Sequence, residues 1–335
     1  MACLSLVAGW QPLSRALAFN GGIMIDIYAK RIDAPDYKLI MYLNKYEESK
    51  IENEKLQFLF KNLKTHFKKL FYSVTYINKI QNDEDFIKNY DQSKIVSISA
   101  VEYCYYKIST IWDIAYQIAD ILIFPKNKGK GFNRYKYLED KFECYSSKYD
   151  ALKLDWYREF NGIRNKIVHG GITVNPYYVD DKFVSKRICF QAYNFELDDL
   201  ITPYYLYSNK YNNDINFADN YFAFYTHLIY SYLTDFFDFV LMELNKDHGR
   251  DLENLSLDCF LHEQFERDTK TWFLSDVDDF AVITKRMLAL EIQEGHLNSI
   301  DRVPDEKILA YFERFPFTMM KKIREGDFTL AEEKS

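Results

Sequence analysis

Cysteine, proline and glycine are all scarce in this chain, and each shortage removes a class of protein. The five cysteines, at positions 3, 104, 144, 189 and 259, are odd in number and form no Cys-x-x-Cys pair, which argues against a disulfide framework and a zinc knuckle. A reducing, cytoplasmic setting is the expectation. Eleven glycines and seven prolines in 335 residues fall below average usage of roughly 7% and 5%, too few for a many-turned β fold. No uncharged apolar run reaches the roughly 18 residues that a membrane helix needs, so no membrane contact is expected. The chain also lacks a phosphate-binding G-x-x-x-x-G-K-S/T pattern, a nucleophile elbow, an internal repeat, and any His-x3-His or Cys/His cluster. It therefore calls for no cofactor and no metal.

Aromatic rings, by contrast, are abundant: they make up 18% of the chain, with 28 Tyr and 27 Phe. Such an interior gains much apolar area per residue, and its hydroxyls need partners. Charged residues are 28% of the total, mostly interleaved in sign as on solvated helix faces. The net charge of −7 opposes a general grip on nucleic acid, because phosphate binding draws on Lys and Arg releasing condensed counterions. Any RNA contact must be local. The opening MACLSLVAGW has no basic n-region and makes a poor secretory signal, so residues 1–23 are read as an extension ahead of Met24 and given no role.

Apolar residues recur at helical spacing in four stretches. Ile51, Leu56, Leu59, Leu63, Phe67 and Leu70 mark a helix over about 51–77. Ile95, Ile98, Tyr105, Ile108, Trp112, Ala115 and Ala119 mark a second over roughly 94–123, ended by Pro125. Trp156, Phe160, Ile163 and Ile167 mark a third over about 149–168, and Tyr221, Phe224, Leu228, Tyr232, Phe236 and Val240 a fourth over about 217–244. Between the second and third lies PKNKGKGFNRYKY, where Lys126, Lys128, Lys130, Arg134 and Lys136 occur without an acid. This segment reads as a basic loop, either a solvated connector or a contact for RNA phosphate. After the third helix, the β-branched and aromatic runs of ITVNPYYVDDKFVSKRICFQAYNFE predict a strand or hairpin, followed by an Asn- and Tyr-rich loop. Residues 251–281 then collect acids from Asp251 to Asp279. The expected fold is mainly α: an antiparallel helical bundle over 46–248 with a small β-hairpin insertion. An N-terminal segment, 1–45, precedes it and an acidic, helical C-terminal region, 249–335, follows.

The string that carries chemistry is REFNGIRNKIVHGG, residues 158–171. Arg164 and His169 would stand ~140° apart around a continuous helix. Gly170-Gly171 is expected to stop the helix here, leaving His169 in the last turn or cap, able to bend back towards the long arm of Arg164. The partial negative charge of a helix C-terminus favours a protonated imidazole, the form that can deliver a proton. Arg164 and Asn165, followed by three residues and His169, resemble the signature of the HEPN superfamily: Arg, a polar residue, three to five more, then His. The preceding and following helices fit the same frame, so the resemblance covers roughly residues 50–248.

The resemblance implies an all-α bundle that dimerises so that two motifs face each other, and in many members a metal-independent endoribonuclease. Cleavage by the ribose 2′-OH needs a base for its proton, an acid for the departing 5′-oxygen and a cation for the charge on phosphate. Two His169 side chains could divide the proton transfers, two Arg164 guanidiniums could hold the phosphate, and Asn165 could orient either, leaving a 2′,3′-cyclic phosphate. Asp113 and Glu102 on the preceding helix are candidate supporting acids, each with an ordinary salt bridge as its alternative. The implied partners are RNA, a second copy of the chain, and an antitoxin or regulatory protein, as for a toxin or phage-defence effector. Members controlled by nucleotidyl modification often carry Tyr two residues beyond the His, and here that position is Gly171. The alternative function is a catalytically inactive HEPN-like module that binds RNA, a nucleotide or a protein. The other histidines, including His66 in the Lys-rich segment THFKKL, carry no such pattern.

Overall fold

A computed structural model describes residues 35–125, 132–149, 151, 154–169, 174–179, 187–192, 206–209, 212–252 and 255, together with Ile283 and Met287. Residues 1–34, Lys126, Lys128, Lys130, Gly170-Gly171 and nearly all of the acidic C-terminal region lie outside the described residues. The chain is mainly α-helical, with helices α1 (Tyr37–Tyr46), α2 (Glu48–Ile51), α3 (Glu54–Asn82), α4 (Glu84–Lys88), α5 (Tyr90–Ile123), α6 (Arg134–Tyr149), α7 (Asp155–His169) and α8 (Ala218–Asn245). Among the described residues, strands β1 (Val174–Val179), β2 (Arg187–Ala192), β3 (Ser208–Asn209) and β4 (Asn212–Phe217) enter between α7 and α8.

Local chemistry sets the helix ends. The Asn53 side chain accepts from the backbone N–H groups of Lys55 and Leu56 at 3.0 and 3.2 Å, satisfying two donors that the start of α3 leaves open. Asp83 does the same for α4 through Phe86 N–H, 2.9 Å away. At the far end of α5, Phe124 turns extended (φ −76°, ψ 139°) ahead of Pro125, as the proline ring demands of the residue before it. After α8, Gly249 adopts a left-handed φ of 58° while its N–H and that of His248 each bond the Asn245 carbonyl at 3.0 Å, a helix cap that suits glycine.

Three long helices, α3, α5 and α8, pack on one another and hold the core. Phe60 meets Phe237 and Phe67 meets Tyr230, so α3 and α8 run antiparallel. Tyr105 bonds Tyr221 and Tyr116 bonds Tyr232, so α5 and α8 run parallel. Helix α7 lies on α5, and α6 packs on α8 and α5. Helix α1 is buried against α8, with Leu39, Ile40, Tyr42 and Leu43 at most 1% exposed. It thus shares the bundle's core, although residues up to 45 read from sequence as a separate segment.

The expected hairpin is present as β1–β2, paired antiparallel from Val174 with Ala192 to Val179 with Arg187. It belongs to a larger antiparallel sheet of order β1-β2-β4-β3, because the segment read as an Asn- and Tyr-rich loop contributes β3 and β4. The sheet lies against α5, α8 and α3. Among the described residues, no helix is long and apolar enough to cross a membrane.

Candidate active site

Helix α7 is oriented by its rings and its aliphatic stripe. Tyr157 stacks on Trp112 at 4.2 Å, Phe160 meets Tyr105 at 4.8 Å, and Ile163 and Ile167 are buried behind them. With that face turned inward, Arg164 falls at the edge of the α5–α7 seam and is half-buried. Its Nη1 donates to Asn165 Oδ1 at 2.9 Å, while its Nε–H is fully buried with no acceptor. A buried donor left open in this way costs roughly 1–3 kcal/mol; the indole N–H of Trp156 is open in the same way.

Asp113 faces the same seam from α5. Burial raises its pKa above the usual carboxylate range, and the nearby Arg164 guanidinium opposes that rise. Among the described residues the two make no direct ion pair, and no hydrogen bond reaches the Asp113 carboxylate. Tyr157, with the Ser109 hydroxyl beside it, is held neutral first by burial and then by the charge of Asp113. A cation, a carboxyl group of raised pKa and a phenol therefore share one niche without spending their polar atoms on one another.

His169 stands elsewhere. It is the last residue of α7 and is exposed. Because the helix stays regular through it, Arg164 and His169 are separated by ~140° around the axis and ~7.5 Å along it. Arg164, Asn165 and Asp113 are brought together within one chain, while a helix that runs through His169 turns that residue to another side of α7.

The other expected residues are dispersed. Glu102 is half-buried and burial raises its pKa; among the described residues no cation acts on it. It sits three turns from Asp113, ~16 Å along α5, and does not join Arg164. Arg134 and Lys136, read from sequence as part of a basic loop, belong instead to the first turn of α6, where Asn133 Oδ1 accepts from Lys136 N–H at 3.1 Å. Arg134 donates to Asp120 Oδ2 at 3.0 Å and lies over the Phe124 ring, so it ties the start of α6 to the end of α5. Among the described residues no group of His, Cys, Asp and Glu is placed to hold a metal ion.

Sequence reasoning missed one polar cluster altogether. Arg187 on β2 donates to Asp219 Oδ1 at 2.7 Å, with the two side chains 4% and 0% exposed. Gln81 on α3 donates to Asp219 Oδ2 at 3.0 Å and accepts from Ile188 N–H at 2.8 Å. The guanidinium also lies 4.0 Å from the centre of the Phe217 ring. This cluster fastens the sheet to α3 and α8. Gln81, Arg187 and Asp219 each stand beside other polar residues in the sequence, so no local pattern signals it.

Comparison with models of protein families, with curated proteins and with solved structures gives no match to this chain.

Proposed function

We propose that this chain is a metal-independent endoribonuclease of the HEPN type that works as a homodimer, cutting RNA by 2′-OH attack to leave 2′,3′-cyclic phosphate ends. The observation that carries the reading is the half-buried Arg164, whose buried Nε–H has no acceptor and whose Nη1 is fixed by Asn165. A phosphate oxygen is an apt acceptor for such a donor, and guanidinium is the side chain best matched to it.

Asp113 sits within range of that guanidinium and supports the site by keeping it oriented towards the seam. With His169 on another side of α7, the reading calls for a second subunit: the two Arg164 niches and the two exposed imidazoles converge on one shared site. One His169 takes the 2′-OH proton and the other protonates the departing 5′-oxygen, so charge and protons balance without a metal. A toxin or defence role, with a regulatory protein as partner, accords with a nuclease that must be restrained.

The test is incubation of the purified full chain with mixed cellular RNA in EDTA, comparing wild type with Arg164→Ala and His169→Ala. Fragments with cyclic-phosphate ends that vanish in both variants are the expected result. Cleavage that EDTA stops, or that survives both substitutions, overturns the mechanism. A monomer with full activity at micromolar concentration removes the shared site.

A further inference from the structure

Where α3 crosses α5, three basic side chains crowd together. Lys107 Nζ lies 3.4 Å from His66 Nδ1, the ammonium donating, and Lys69 is close enough to both to disfavour their charged forms. Burial, followed by this mutual repulsion, lowers the pKa of His66; burial, followed by Lys69, lowers that of Lys107. Among the described residues, neither lysine has a carboxylate within ion-pair distance. In a chain of net charge −7, an unneutralised basic cluster is an arrangement that costs stability unless an anion joins it.

Rings frame the cluster. Lys107 Nζ lies 4.7 Å from the centre of the Tyr103 ring, and Lys68 Nζ lies 5.7 Å from that of Tyr72. Tyr103, Tyr72 and Tyr76 are 36%, 45% and 50% exposed, whereas most of the described aromatic rings are not. Basic groups beside open rings are the pattern that binds single-stranded nucleic acid, the cations tracking phosphate and the rings taking bases.

The cluster is also joined to the Arg164 niche. Lys107 and Asp113 are six residues apart on α5, ~9 Å along the axis and ~120° around it, with Thr110 between them, so a strand passing from one to the other follows the helix part of the way round. Lys107 therefore stands only about 10–12 Å from the acid that faces Arg164, a distance that a short length of RNA strand spans.

We propose that His66, Lys69 and Lys107 form a phosphate-binding subsite for single-stranded RNA, with Tyr103 and Tyr72 as stacking surfaces, that guides the strand across α5 to Arg164. The choice of RNA rests on the ribonuclease reading of the Arg164 niche; the capacity to bind a strand does not require cleavage. These are binding residues, and the reaction itself stays with Arg164 and His169.

The experiment uses the full chain and a fluorescein-labelled 12-nucleotide RNA carrying 2′-O-methyl groups, which cannot be cut by 2′-OH attack, read by anisotropy at several salt concentrations. The double variant Lys69→Gln/Lys107→Gln is expected to bind about tenfold more weakly, with a salt slope smaller by about 1.4, the share of two phosphate contacts on a single strand. Its melting temperature stays level or rises, because repulsion has been removed; a falling one would contradict the unneutralised cluster. Tyr103→Ala weakens binding at every salt concentration while leaving the slope unchanged. Wild-type binding by the double variant overturns the proposal, as does displacement of the oligonucleotide by equimolar inorganic phosphate. If the wild type holds the oligonucleotide through these lysines but cuts no unmodified RNA, the subsite stands and the nuclease reading falls. Cleavage of unmodified RNA that is indifferent to the lysines overturns the subsite and leaves the nuclease standing.

Discussion

Arg164 and Arg187 are both drawn into the body of the protein, but their charges are met differently. Arg187 has Asp219 at 2.7 Å, with Gln81 closing the other side of the carboxylate. Arg164 has one bond, to the side chain of its own neighbour, while Asp113 stands near without pairing. A fully buried ion pair of the first kind ties elements together. The second arrangement leaves the Arg164 charge without a paired carboxylate, which is the difference the proposed site relies on.

Removing each arginine separates the two cases. Arg164→Ala lowers cleavage by ~10³-fold or more, the scale of losing a positioned catalytic cation, with the melting temperature almost unchanged. Loss of folding in this variant would place Arg164 with the structural residues. Arg187→Met costs about 3–5 kcal/mol in denaturant unfolding, because it leaves Asp219 buried and uncompensated. A cost below about 1 kcal/mol would show that the sheet is held by other means.

Asp113 sharpens the comparison. Its carboxyl pKa is raised in the folded chain, so its contribution to stability is present below the unfolded value of about 3.9 and lost as pH rises through the folded value. Asp113→Asn is therefore expected to raise the melting temperature at neutral pH by about 1–3 °C, with the gain vanishing near pH 3, while cleavage falls. An unchanged or lower melting temperature at neutral pH would mean that Asp113 is stabilised by a partner after all. The smallest effect concerns His66, whose pKa is lowered by burial and by Lys107 and Lys69. Here stability declines as pH drops below about 6.5 towards the folded value, and NMR titration should show the pKa rising again when the oligonucleotide binds.

The long helices could be read from the sequence because their buried stripes are nearly pure, as in Leu56, Leu59, Leu63, Phe67 and Leu70 of α3. Helix α6 could not. Its buried positions, Leu138, Phe142 and Ser146, keep helical spacing, but the stripe is thin, and the preceding lysines and glycines extend a loop reading into Arg134 and Lys136. Strand β4, Asn-Asn-Asp-Ile-Asn-Phe, has little intrinsic strand preference and is made by its neighbours β2 and β3. At the site, Arg164, Asn165 and Asp113 were legible as letters at helical spacing. The separation of His169 from them depends on whether α7 stays regular to its last residue, and the chain's glycine pair suggested otherwise. The Arg187–Asp219 pair was illegible because nothing local links residues 32 apart.

The two phenol pairs between α5 and α8, Tyr105 with Tyr221 and Tyr116 with Tyr232, share the same sequence offset of 116. They act as two teeth of one gauge. To slide α8 by a single helical turn would disengage both pairs at once and strand four hydroxyls in an apolar interior, so intermediate positions are barred and the two helices must travel together. The register so fixed reaches the far end of α8, where Asn245 and Arg250 fasten the chain back onto Tyr42 and Glu47.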